Sequence, residues 1–311
     1  MKKIIFLLLI LVMWPAQVIY AQDGAGIRLG IVKFLSRAEG VSDKQAEAIG
    51  DIFTRMLNQS SSITVVERDR FDELAKEYQF AQSGRFKDDE VIQLGKIISC
   101  KYMLMGAVTN MSKKTKTTDL WLISETRQAI TVTIDVRIVD VETSKVIYTL
   151  SENGSSSGKE SGFNFYGFQT KNNDFSGLEM AAITEAISRA VFRIREKFAG
   201  DSVQVINIAA KEIAINAGKN WGITPGMLFQ VYSEGREMIN LDGTSMGKKR
   251  TILAILKITD VQEDFSTAQI IKNGGKSSSL RKGNRVQPIT QQEADTLIKQ
   301  KFFSGSSGKK K

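Results

Sequence analysis

Histidine is absent from all 311 residues. That removes the commonest metal ligand and the commonest general base. Cysteine occurs once, at Cys100. A single thiol excludes an intramolecular disulfide and a multi-cysteine zinc cage, and with no imidazole to activate it Cys100 reads as a small buried hydrophobe. No G-x-G-x-x-G is present. The stretch "GGKSSS" has Gly275-Lys276-Ser277, but a phosphate-binding P-loop needs glycine where Ile270 stands. "GSSSGKE" lacks a hydroxyl residue after Lys159. Beyond the first residues no stretch is apolar enough to form a membrane helix.

Basic residues outnumber acidic ones, giving a formal net charge of +9. Five of these charges sit on Lys2, Lys3 and Lys309 to Lys311, so the remaining excess is mild. A nucleic-acid binder would carry a stronger, clustered excess, and none is expected here. Lys2 and Lys3 precede the apolar run Ile4 to Trp14, and a short polar stretch then ends in "VIYA". This is the order of a secretory signal, with cleavage expected after Ala21. The run is short for an ordinary transmembrane helix. No cysteine follows the expected cleavage point, so a lipid-anchored form is not expected.

"IRLGIVKF", Ile27 to Phe34, reads as a buried strand. Ser42 and Gln45 have capping-box spacing, and Ala46, Ile49, Ile52, Phe53, Met56 and Leu57 share one face of the helix that follows. "ITVVERDRFDELAKE", Ile63 to Glu77, runs from strand into helix, with Phe71, Leu74, Ala75 and Tyr78 on one stripe. The charges at its join, Glu67, Arg68, Asp69 and Arg70, raise the question of chemistry. Helix capping by Asp69 and pairing of Glu67 and Arg68 at a sheet edge account for them without it. Asp88 or Asp89 is expected to cap a third helix with Val91, Leu94 and Ile98 inward, and "CKYMLMGAVT" to form a strand buried on both faces.

"QAITVTIDVRIVDV" alternates strictly, with Ile130, Val132, Ile134, Val136 and Ile138 on one side, and "VIYTL" returns after the turn "ETSK". That is a hairpin with one wet face. Ser151 to Phe175 reads as a Gly/Ser/Asn-rich loop that carries Phe163, Phe165, Tyr166 and Phe168. These aromatics either fold back on the core or form a contact surface. They have neither helical nor strand period, and we take the contact reading. Ser176 and Glu179 open a long amphipathic helix that Gly200 ends. After Gly200 the chain turns all-β, with a type II turn at Pro225-Gly226 and a hairpin tip at "NLDGTSMG". Thr290 to Glu293 can cap a last short helix.

The segments "LGIVKF", "AIGDIFTRML", "ITVVERDRFDELAKE", "LGKIISCKYMLMGAVT" and "VTIDVRIVDVETSKVIYT" together resemble the CsgG family, named for the curli secretion component. "INAGKNWGITPGMLFQVYSEG" through "LRKGNRVQPI" resembles the C-terminal β-domain of the flagellar assembly protein FlgT. The resemblance implies an α/β (α+β) CsgG-like domain at 27–199, after a signal peptide at 1–21. A small all-β, barrel-like domain at 201–290 follows, then a short helix and disordered basic tail at 291–311. It implies no enzymatic activity and no cofactor or metal. The implied role is a periplasmic cell-envelope assembly or scaffold protein that acts by homo-oligomerisation or by binding protein partners. The alternative is a subunit of an oligomeric curli-type secretion channel associated with the outer membrane. Two segments where such a channel has membrane hairpins, Met111 to Ile130 and Ser151 to Phe175, are polar here. Candidate subunit or partner contacts are Phe163, Phe165, Tyr166, Phe168, Glu67 and Arg68.

Export predicts that the mature chain begins at Gln22. Mass spectrometry of the N-terminus checks this, and a mature protein that retains Ile4 to Trp14 contradicts it.

Overall fold

The computed structural model describes residues 26–32, 34–60, 62–66, 87–120, 123–158, 176–209, 212–273 and 280–299. Two six-stranded sheets organise them. The first begins with β1 (Ile27–Ile31), flanked by β3 (Ile63–Val66) and β4 (Tyr102–Leu120), both parallel to it. A two-residue strand, β2 (Leu35–Ser36), lies beside β4. The sheet continues as an antiparallel meander through β5 (Ile123–Asp140) and β6 (Lys145–Gly158).

Two helices cover one face of this sheet. Helix α1 (Asp43–Asn58) starts at the expected capping box, where the Gln45 N–H donates to Ser42 Oγ over 3.2 Å and the Ser42 N–H donates to Gln45 Oε1 over 3.0 Å. Its expected stripe, Ala46, Ile49, Ile52, Phe53, Met56 and Leu57, is fully buried. Helix α3 (Gly177–Ile194) starts at the second capping box, Ser176 with Glu179. Between these helices and the sheet lie Ile130, Val132, Ile134, Val136 and Ile138 of β5. The strict alternation of that strand thus does what a half-buried strand requires. On the opposite face, helix α2 (Asp88–Ile97) buries Val91 and Leu94, together with Ile98, against Cys100 and Met103. Asp88 is its first helical residue and not its cap: Lys87 holds the cap position, and the Lys87 N–H donates to Glu90 Oε2 over 2.9 Å. The Asp88 carboxylate is 2.7 Å from Arg137 of β5 instead.

Two stretches differ from expectation. Strand β4 does not stop near Thr109 but pairs with β5 as far as Leu120 with Ile123. A run rich in lysine and threonine carries no alternating apolar pattern to mark it, and its extension follows from pairing with β5. The expected loop at Ser151 begins as strand, because β6 runs on to Gly158. A glycine is required there: a Cβ on Gly154 would overlap the Ala182 carbonyl oxygen and the Ala186 nitrogen of α3. The helix backbone lies directly on the strand, and the low side-chain bulk of "NGSSSG" lets it.

The second sheet is antiparallel, in the order β12 (Arg285–Ile289), β9 (Leu228–Ile239), β10 (Ser245–Val261), β11 (Ser266–Asn273), β8 (Glu212–Ile215), β7 (Val205–Ala209). Its two ends approach at the single bridge Gln204 with Arg285 and at neighbouring backbone bonds such as Val286 N–H to Val203 O, 2.9 Å. One bridge is short of a ladder, so the expected barrel is observed as an open sheet whose ends touch. Pro288 is accommodated on β12 because that strand is the first of the sheet. The turn at Pro225 forms as expected: Gly226 has φ +93° and the Met227 N–H donates to Thr224 O over 3.3 Å. Helix α4 (Gln291–Lys299), capped by Thr290, covers Leu228, Ile255 and Ile289 with Ala294 and Leu297. Among the described residues no helix is long and apolar enough to cross a membrane.

The contact at Gly154 makes a prediction. Gly154→Ala should lower unfolding stability by about 1–3 kcal/mol through overpacking, while Ser157→Ala, at an exposed position, should change it by less than about 0.5 kcal/mol. Denaturant titration of both variants measures this, and equal stabilities contradict the close approach.

Candidate functional site

Helix α3 carries two stripes. Ile183, Ile187, Ala190, Val191 and Ile194 face the first sheet and α1. Glu185, Ser188, Arg189 and Phe192, followed by Arg195, recur at helical spacing on a second face and meet the second sheet. Phe192 belongs to the second core, with Trp221, Phe229 and Val231. Its ring centroid is 5.3 Å from that of Trp221.

Arg195 opens a short π-helical segment, Arg195–Ala199, which ends at Gly200 in the left-handed conformation (φ +68°). The guanidinium carbon of Arg195 lies 3.6 Å from the Trp221 ring centroid. Its Nε donates to Asp201 Oδ2 over 2.9 Å and its Nη1 to the Asn220 carbonyl over 3.1 Å. Burial lowers the pKa of this group, and the Asp201 carboxylate opposes that shift. Ser60, just beyond α1, also donates to Asp201 Oδ2 at 3.3 Å. One turn earlier the Ser188 hydroxyl lies 2.5 Å from the Gly222 carbonyl and 2.7 Å from that of Thr184. Gly222 has φ +67°, and a Cβ there would press on Met56 of α1 and on Ser188. Arg189, 1% exposed, bonds the Ile289 carbonyl and the Glu185 carboxylate, the latter at 2.9 Å, and lies 3.7 Å from Glu293 of α4.

Arg189 and Arg195 each pair with a carboxylate of the chain, and their bonds to the Ile289 and Asn220 carbonyls fasten α3 to the second sheet, while Arg189 Nε is buried with no hydrogen-bond partner among the described residues. Burial pushes the Cys100 thiol up to about 11 against the opposing charge of Arg28, so at neutral pH it is an unreactive thiol. Among the described residues no three histidine, cysteine, aspartate or glutamate side chains converge on one point. One cleft lies beside the seam and one away from it. The first, of about 890 Å³, lies between β6, α3 and the second sheet and is lined by Ser155, Glu185, Thr224, Lys257 and Gln262. The other, of about 610 Å³, lies on the outer face of the first sheet beside Arg37, Asp88, Asp135 and Arg137.

The residues singled out from sequence lie outside the described residues. Glu67 and Arg68 directly follow β3, and Phe163, Phe165, Tyr166 and Phe168 fall between β6 and α3. The helix 71–78 expected after β3 lies outside them as well. Sequence reasoning missed Ser188, Arg189, Phe192, Arg195 and Trp221. For the residues of α3 and Arg195 the signal was the helix's second stripe, where polar residues read as a solvated face.

Among solved structures, the LpoB C-terminal domain from Salmonella enterica is similar at 12% identity, covering 41% of this chain and 82% of that one, with a TM-score of 0.32. The hypothetical protein CT253 from Chlamydia trachomatis has 16% identity, covers 57% and 99%, and gives a TM-score of 0.37. The lipoprotein GNA1162 from Neisseria meningitidis has 16% identity, covers 56% and 99%, and gives a TM-score of 0.32. No curated protein matches the chain. The family model for the C-terminal domain of flagellar assembly protein T matches residues 210–287. The model for the curli production assembly/transport component CsgG matches residues 34–220, more than half of the chain. The chain therefore belongs to the CsgG family and carries a FlgT-like C-terminal domain.

Proposed function

We propose that this protein is exported and acts in the periplasm as a non-enzymatic assembly or scaffold factor of the cell envelope. Its working units are taken as 27–199 and 201–290, with the helix and basic tail of 291–311 behind them. The observation that carries this reading is the family match over residues 34–220. It is supported by a seam whose buried charges are all paired within the chain, and by a thiol held protonated. Such a molecule offers surfaces to protein partners, or to further copies of itself, in place of a reaction centre. Glu67, Arg68 and the aromatics at 163–168 are proposed as part of those surfaces.

The channel alternative draws on one observation, the length of the β4–β5 hairpin. Residues Met111 to Leu120 pair with Ile123 to Val132, long enough for a membrane strand. Their composition argues for the scaffold. Lys113, Lys114, Thr115, Lys116, Thr117, Thr118 and Asp119 supply no alternating apolar face, and a strand facing lipid needs one.

The test combines fractionation with particle imaging. The scaffold reading expects a species extracted without detergent that associates with itself or with envelope proteins. Changing Phe163, Phe165 and Phe168 together to alanine should weaken that association at least about tenfold, equivalent to about 1.4 kcal/mol, with little change in subunit melting temperature. A detergent-dependent ring with a stain-filled lumen establishes the channel instead. A large drop in melting temperature with association unchanged returns those aromatics to the core.

A further inference from the structure

Strands β9 and β10 outrun the second sheet. Gly235 to Ile239 and Ser245 to Thr251 are exposed along their length, so the hairpin projects about 17 Å beyond the packed region. At its end Met238, Ile239, Leu241 and Met246 each expose more than half of their surface, and Leu241 is fully exposed. Large apolar groups gathered at the outermost point of a ribbon mark a binding feature. The tip holds a defined shape. The Asn240 N–H donates to Thr244 O over 2.8 Å, and the Gly243 N–H to Asn240 O over 3.0 Å. The Leu241 N–H donates to the Asn240 side chain and the Thr244 N–H to that of Asp242.

Behind the apolar tip stands a basic collar. From Glu234 to Arg250 there are four basic residues, Arg236, Lys248, Lys249 and Arg250, and three acidic ones, Glu234, Glu237 and Asp242, and Lys248 and Arg250 lie 3.5 and 4.0 Å from Glu234. Of the acids, Glu237 accepts from the Ser245 hydroxyl and Asp242 from the Thr244 N–H. Arg236 and Lys249 make no ion pair among the described residues, which leaves their charge outward.

We propose that the β9–β10 tip inserts into an anionic lipid surface, with Met238, Ile239, Leu241 and Met246 in the acyl boundary and the collar on the headgroups. Shape and charge select lipid over a protein partner. A specific protein interface buries about 800 Å² on each side, and the end of a two-stranded ribbon has no flanking surface to supply that. A bilayer needs no complementary concavity. Apolar insertion backed by cationic residues is how peripheral proteins hold an anionic interface. This inference stands apart from the oligomer and channel readings, since it concerns the second sheet alone.

The experiment places an environment-sensitive fluorophore on the full-length Leu241→Cys variant. Cys100, buried and protonated, leaves the new thiol as the reactive one. Glu263→Cys, in the exposed loop at the opposite end of β10, is the control. Vesicles of phosphatidylglycerol and phosphatidylethanolamine should shift the emission of the Leu241 label to the blue, and lipids brominated on the acyl chain should quench it. The control label should do neither. With the label in place, Lys248→Glu combined with Lys249→Glu should weaken vesicle partitioning about tenfold or more, and rising salt should weaken it in the parent. An unshifted label on these vesicles overturns the proposal. So does an equal shift on purely zwitterionic vesicles. A blue shift without vesicles that grows with protein concentration overturns it in favour of a second copy of the chain.

Discussion

The stack of Arg195 and Phe192 on Trp221 is the contact on which the rest of the arrangement depends. Helix α3 is a core element of the first sheet, yet its Phe192 is buried in the second core. Truncating such an aromatic typically costs about 3–5 kcal/mol, and a desolvated cation over an indole adds about 2. The polar partners matter in a different way. Arg189 and Arg195 are buried charges, and a buried charge without partners is strongly unfavourable. Asp201, Asn220, Ile289 and Glu185 supply those partners from both sides of the seam. Moving the sheets apart would cost Arg189 its bond to Ile289 and Arg195 its bond to Asn220. The geometry therefore favours one orientation of the two units over a flexible tether.

Much of the first unit was legible because its elements have a clean period. The α1 stripe and the alternation of β5 each needed only the identity of every third, fourth or second residue. Capping boxes at Ser42, Ser176 and Thr290 marked helix starts for a local reason, the unsatisfied N–H groups of a first turn. What stayed hidden is non-local. The length of β4 is set by its partner strand, and the strand at Ser151–Gly158 is written in residues that ordinarily mark loops. Gly154 is there to admit the backbone of α3, and only the packed structure reveals that neighbour. The open second sheet was expected as a barrel because strand count and turn spacing are the same for both. Closure depends on how many bonds join β12 to the chain before β7.

The candidate site shows the same division. Absences were informative: with no histidine and a lone apolar-flanked thiol, the chemistry of the chain narrowed early. The seam was not legible, since arginine and serine on a helix read as solvent-facing until a second sheet is placed against them. Glu67, Arg68 and the aromatics at 163–168 lie outside the described residues, so their proposed role rests on sequence and family. The described surface adds the β9–β10 tip, whose apolar residues were noticed in sequence only as a turn.

The central claim is that α3 makes the two units one cooperative body. Calorimetric unfolding of the full chain tests it directly. The account predicts a single transition for the parent and two resolved transitions when Phe192→Ala and Arg195→Ala are combined. Two independent transitions in the parent, at temperatures that the double variant leaves unchanged, would contradict it.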